Sequence, residues 1–139
     1  MSNQIADFEW LIGDRIESVR FEIESGAWIV NFQCRASLRI ESMWRLIEDG
    51  TICSTGLDHG HWFGRTHEFD GVAALQEMGQ YRIESVRVRP ETGDLFIMLG
   101  KMFELEVIST SAGYEPWQMT HPSLGTVVAS GGELHIFGP

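Results

Sequence analysis

The stretch from Asp58 to His67 reads DHGHWFGRTH and gathers three histidines and an aspartate within ten residues. Asp58, His59, His61 and His67 are side chains of the types that ligate zinc and related ions. On a strand, His59-Gly60-His61 would turn both rings to one face. One reading is therefore a small metal-binding protein or metal-dependent enzyme built on this cluster. The other starts from His61-Trp62-Phe63-Gly64, which recurs as His135-Ile136-Phe137-Gly138, whereas His59 and His67 have no such counterpart. A residue kept in both copies of a repeated unit is better explained by equivalent packing than by ligation at one asymmetric site. The first expectation is thus a structural role for His61 and His135, with no metal and no cofactor.

Other chemistries have less to stand on. The sequence holds no G-x-S-x-G elbow, no Gly-rich phosphate loop and no dinucleotide fingerprint. Cys34 falls at a turn and Cys53 in a strand by pattern, and without a placed base both are expected to be inert thiols. Glu22 with Glu24, and Glu104 with Glu106, share strand faces. Such pairs do acid/base work only when one of them lies in an apolar cleft. No catalytic residue is assigned, and an enzyme is not the favoured reading. A better lead is the polar segment Ser109 to Pro116, which carries Tyr114 and Glu115 and leads into Trp117. Loops hold recognition residues and aromatics make anchors. Tyr114, Glu115 and Trp117, with Glu104 and Glu106 supplying an acidic field, are the candidate partner-binding residues.

The elements that position these residues follow from an internal repeat. IESVR occurs at residues 16 to 20 and again at 83 to 87. Held at that offset of 67, residues 16–42 and 83–109 are identical at nine of 27 positions. Short insertions then align Trp44-Arg45-Leu46 with Trp117-Gln118-Met119, and Gly50-Thr51-Ile52 with Gly125-Thr126-Val127. Within each unit the apolar residues alternate: Val19, Phe21, Ile23; then Trp28, Val30, Phe32; then Leu38, Ile40. That period of two describes half-buried strands. Gly26 and Gly93 stand where hairpins need positive φ. Ile16 and Ile83 fall out of phase with Val19 and Val86, which predicts a bulge at each Glu-Ser pair. Leu95 to Leu99 is apolar on both faces, as for a well-covered strand or one buried in a homodimer.

Between the units, Asp70 as N-cap and Gly79 as a C-terminal stop bracket a linker helix over about 69–78. Residues 3–12 predict a second short helix, with Asn3 or Asp7 as cap. The expected architecture is α+β, mainly β. It is a single domain over 1–139, in which two pseudo-symmetric antiparallel β-meander units, about 13–64 and 80–138, are joined by the short α-helix.

Bulk properties restrict the partners. Twenty acidic against ten basic residues give a net charge of −10, which repels nucleic acid and anionic membrane surfaces and attracts basic proteins. No apolar run approaches the roughly 18 residues that cross a bilayer. The start MSNQIADFEW lacks the basic and apolar regions of a signal peptide, and two cysteines make no disulfide framework, so a cytoplasmic location is expected.

The order WLIGDRIESVRFE, ESMWRLIEDG, helix, TGDLFIMLG and LEVISTSAGYEPWQM resembles a family of small uncharacterised bacterial single-domain proteins. Trp44-Arg45-Leu46, Gly93-Asp94-Leu95 and Tyr114 to Trp117 are its most recognisable pieces. That family has no established activity, so the resemblance carries over no site residue. In size and charge the chain is also loosely similar to immunity proteins that neutralise bacterial toxins. The expectation is a non-enzymatic protein-binding module, with a basic toxin as the partner that this likeness implies.

Overall fold

Hairpin glycines set the first pairings. Gly26 (φ 77°) and Gly93 (φ 80°) both adopt the left-handed turn that a side chain would strain. Each donates its N–H back across the turn at 2.7 Å, Gly26 to the Glu22 carbonyl and Gly93 to that of Arg89. A computed structural model describes residues 4–130 and 132–139 of the chain. It contains strands β1 (Ile16–Glu22), β2 (Ala27–Phe32), β3 (Ser37–Ile40), β4 (Met43–Glu48), β5 (Thr51–Thr55), β6 (Ile83–Val88), β7 (Leu95–Leu99), β8 (Phe103–Ile108), β9 (Trp117–His121), β10 (Gly125–Ser130) and β11 (Glu133–Phe137). Helix α1 (Gln4–Asp7) precedes β1, and α2 (Gly71–Glu77) precedes β6.

The architecture is mainly β, with two antiparallel sheets. Sheet A has the order β1-β2-β3-β9-β10-β11 and sheet B the order β5-β4-β8-β7-β6. Adding one repeat to β1-β2-β3-β9-β10 yields β6-β7-β8-β4-β5, so the sheets exchange under the pseudo-two-fold relation. Each copy places its first three strands in one sheet and sends its last hairpin to the other. The copies are therefore interlocked. Leu38 and Ile40 of β3 pair with Met119 and Trp117 of β9, while Leu105 and Val107 of β8 pair with Leu46 and Trp44 of β4. These eight side chains are at most 2% exposed and occupy the centre of the core between the sheets.

Both predicted bulges are present: the register of β1 shifts between Ile16 and Ser18, and that of β6 between Ile83 and Ser85. Pro90, which cannot donate to a ladder, lies just beyond the end of β6 at a sheet edge. Leu95, Ile97 and Leu99 point into the core, while Phe96 and Met98 are half-buried on the outer face.

In α2, the Asp70 carboxylate accepts from Ala73 N–H at 3.0 Å, as an N-cap should. Gly79 has a different role from the left-handed stop expected of it. It lies within a 3-10 turn (Met78–Gln80), where a Cβ would come within 2.5 Å of the Ile16 carbonyl oxygen. Gly79 is thus a close-approach residue. The predicted N-terminal helix divides at Phe8, which is left-handed (φ 57°), and a 3-10 turn (Glu9–Leu11) follows. Asp7 Oδ1 accepts from Glu9 N–H at 3.0 Å, while Asn3 lies outside the described residues. Phe8 and Leu11 are buried, and so are their counterparts 67 residues on, Leu75 and Met78. The repeat therefore includes the helical segment before each set of strands, although within the helices Ala6 and Ala73 alone are identical at that offset.

Two details of the expected alignment change. Val127 is buried opposite Met119, but Ile52 lies opposite Ile47 and is about half exposed. The β4–β5 turn is the two-residue pair Asp49 (φ 48°) and Gly50 (φ 84°), whereas the β9–β10 turn has three residues. A one-residue difference sends Ile52 to the opposite face, and a bulge at Cys53 restores the phase by Ser54. Secondly, His135 to Phe137 belong to β11, but among the described residues His61 to Gly64 form no strand. Both histidines are exposed, so the shared His-x-Phe-Gly pattern marks no shared packing.

Candidate partner-binding surface

Because every neighbouring pair of strands is antiparallel, the connections alternate between the two ends of the sandwich. That alternation segregates charge. At one end the β1–β2 hairpin brings Glu22 and Glu24, the β3–β4 crossover Glu41, and the β6–β7 hairpin Glu91 and Asp94. The β8–β9 crossover adds Glu115, the segment between β5 and α2 adds Asp58, Glu68 and Asp70, and β11 begins at Glu133. Arg65 and Arg89 are the basic residues in these segments, and Arg20 and Arg39 reach Glu22 and Glu41 from the adjoining strands. The connections at the other end carry Asp14, Glu48 and Asp49 against Arg15, Arg35, Arg82 and Lys101. Most of the net negative charge thus faces one way. The same end exposes Ile23 (86%), Phe63 (66%), Trp62 (53%) and Tyr114 (51%). Glu22 stays ionised there: the Ser25 hydroxyl foremost, and the Arg39 guanidinium with it, hold its carboxyl below the ordinary range.

The loop that presents Tyr114 and Glu115 is tied down at both ends. Ser109 N–H donates to Asp94 Oδ1 at 2.7 Å, Glu41 N–H donates to the Pro116 carbonyl at 2.8 Å, and Pro116 is buried. Ser111 Oγ accepts from the N–H groups of Gly113 and Tyr114, both at 3.2 Å, and turns the chain so that residues 111 to 115 face solvent. Trp117 is not part of that surface. It is 1% exposed, and its indole N–H donates to the Gly93 carbonyl at 2.7 Å, pinning the loop's root to the β6–β7 hairpin. Its proposed contact with a partner is corrected to support from beneath.

Glu104 and Glu106 also lie elsewhere. They project from β8 on the outer face of sheet B, where Glu106 pairs with Arg45 and Glu104 with Arg87 at 3.8 Å. Burial first, then the neighbouring Glu106 carboxylate, raise the Glu104 carboxyl above the usual range.

The histidine cluster does not converge. His59 turns inward: its Nδ1 accepts from Gly71 N–H at 3.0 Å, and its ring stands edge-on to Phe21 and Trp28, 5.0 Å from each centroid. His61 stacks on Phe63 at 5.4 Å, and His67 Nδ1 lies beside Thr66 Oγ1 at 3.3 Å in an exposed turn. Asp58 stands in a 3-10 turn (Gly56–Asp58) ahead of them. Among the described residues, no three His, Cys, Asp or Glu side chains are placed to hold a metal ion. The metal reading of Asp58, His59, His61 and His67 is therefore corrected: the glycines at 60 and 64, both with positive φ, fold the segment so that its ligand types diverge. Sequence reasoning missed that His59 serves α2, and the signal was a helix whose first residue, Gly71, has an N–H that needs an acceptor.

Neither thiol is activated. Burial first, then the Asp14 carboxylate, push the Cys34 thiol up to about 11. Cys53, raised chiefly by burial, donates to the Leu46 carbonyl at 3.3 Å. Among the described residues no helix is long and apolar enough to cross a membrane. The site and fold define a class by shape alone, a two-sheet sandwich of interlocked repeats with one acidic end. No protein-family model, curated protein or solved structure matches the chain.

Proposed function

We propose that the protein is a non-enzymatic binding module whose acidic end docks on a basic protein surface, in the manner of an immunity protein that covers a toxin's cationic active site. One observation carries the reading: carboxylates from six connections share one end with exposed Ile23, Trp62, Phe63 and Tyr114. A charged field steers a basic partner to the encounter, and the aromatic side chains supply the area that holds it. Tyr114 and Glu115, on a loop fixed at both roots, are the residues through which contact is made.

The test is co-expression with the products of the flanking reading frames, followed by calorimetry on any complex. A basic partner is expected, with affinity falling at least tenfold as salt rises from about 50 to about 500 mM. Glu24→Lys combined with Glu115→Lys should lower k_on. Tyr114→Ala should cost about 2 kcal/mol through k_off. A partner that binds equally well to the charge-reversed protein, or flanking products of which none is basic and none binds, would sink the reading.

A further inference from the structure

The outer faces of the two sheets carry different chemistry on the same skeleton. Across the five strands of sheet A that have counterparts in sheet B, the row Ser18-Asn31-Ser37-Thr120-Thr126 is polar, and only the added strand β11 ends it with the apolar Phe137. The matching row of sheet B is Ser85-Met98-Glu104-Ile47-Ile52. The adjacent row of sheet B runs Arg87-Phe96-Glu106-Arg45-Thr55, and Met43 with Ile108 extends the face toward the acidic end. Apolar side chains therefore surround two glutamates and two arginines.

We propose that this face of sheet B is where a second copy of the chain binds, in a reversible two-fold homodimer. Charge selects that partner. A molecule of net charge −10 repels its own kind, but here the carboxylates are already paired within the chain, and their side chains are only 12% (Glu106) and 22% (Glu104) exposed. The Arg87 guanidinium lies 4.1 Å over the Phe96 ring, and the two arginines are the exposed partners of these pairs, at 63% (Arg87) and 38% (Arg45). Two Arg and two Glu leave the face neutral and make it complementary to itself, as an isologous contact requires. The acidic ends need not meet.

Area sets the strength. Five strands about 4.8 Å apart and five residues rising about 3.3 Å each cover roughly 400 Å² in projection. A face of that extent is small beside a standard interface, to which each partner contributes roughly 800 Å² of accessible surface, so a reversible rather than an obligate dimer is expected.

Sedimentation velocity of the full-length protein from about 1 to about 500 µM tests this. Wild type should pass from monomer to dimer over that range. Ile52→Lys, at a position already half exposed and so without folding cost, should raise the dimer Kd at least tenfold, and Phe96→Glu should do the same. Thr126→Lys, at the equivalent position of sheet A, should leave it unchanged, as should Glu24→Lys at the acidic end. The proposal is overturned if wild type stays monomeric at 500 µM, if the dimer survives both sheet B substitutions, or if Thr126→Lys disrupts it as much. Partner binding by the Ile52→Lys protein separates this contact from the acidic end.

Discussion

Trp44 and Trp117 are the same residue twice, each buried at the start of the strand that crosses to the opposite sheet. Trp117 donates to the Gly93 carbonyl, whereas among the described residues the Trp44 indole N–H has no hydrogen-bond partner and faces Gly56, where a Cβ would come within 2.6 Å of Nε1. The side openings differ in the same sense. Beside β1, Phe21 is covered by His59. Beside β6 its counterpart Val88 lines an open cleft of about 370 Å³ with Ala6, Phe8, Val86 and Leu134. Duplication preserved the inner face and its register, where each side chain has many neighbours to satisfy. Exposed positions follow no such rule: Glu17 and Glu84, Arg20 and Arg87, and Glu24 and Glu91 stay identical, whereas the openings beside β1 and β6 have diverged.

The largest test of that comparison is at the tryptophans. Replacing either by Ala should cost about 3–5 kcal/mol in urea unfolding, because each leaves a large cavity. Replacement by Phe should separate them. Trp117→Phe leaves the buried Gly93 carbonyl unpaired and should cost about 1–3 kcal/mol more than Trp44→Phe, which removes an N–H that has no partner. Equal costs would break the asymmetry.

Next in size is Gly71, at the head of α2, where a Cβ would lie 2.7 Å from Trp28 Cη2. Gly71→Ala should cost about 1–3 kcal/mol through overpacking. Gln4, its exposed counterpart 67 residues earlier, should tolerate Ala within about 0.5 kcal/mol. Thermal melts of the two single variants make that comparison.

The smallest effect contrasts Glu104 with Ser37, its counterpart on sheet A. The Glu104 carboxyl is raised above its unfolded value, so the folded state holds its proton more tightly. Folding is favoured while that proton is bound, and the advantage is lost as pH rises through the raised value. Glu104→Gln should therefore melt slightly higher than wild type at pH 7, with the difference disappearing near pH 4. The exposed Arg87 contact that it sacrifices is worth little. A Gln variant less stable at pH 7 would show that the ion pair dominates.

Much of the fold was legible because strands write their pattern locally. Alternation located the strands, Gly26 and Gly93 located the hairpins, and the phase slip at Ile16 and Ile83 located both bulges. What remained hidden was long-range or depended on turn length. No local signal says that β4 leaves its own meander for the other sheet, since its inward Trp44 and Leu46 would satisfy either. Asp49-Gly50 is itself a two-residue hairpin signature, and weighing it would have placed Ile52 outward. The acidic end was invisible for another reason: its carboxylates come from six separated connections that only the topology gathers. Tyr114 and Glu115 stood out because their insertion broke the repeat, and both are exposed, while Trp117 is buried, and a buried anchor and an exposed one look alike in sequence.

The exchange of hairpins also sets an order of events at the ribosome. β3 must wait for β9, with Ser37 pairing Thr120, so the first copy emerges with the inner edges of both its sheet fragments unclosed. Non-local pairing of this kind folds slowly and leaves strand edges exposed meanwhile. Until the second copy is synthesised, the best available partner for those edges is a neighbouring nascent chain of the same sequence.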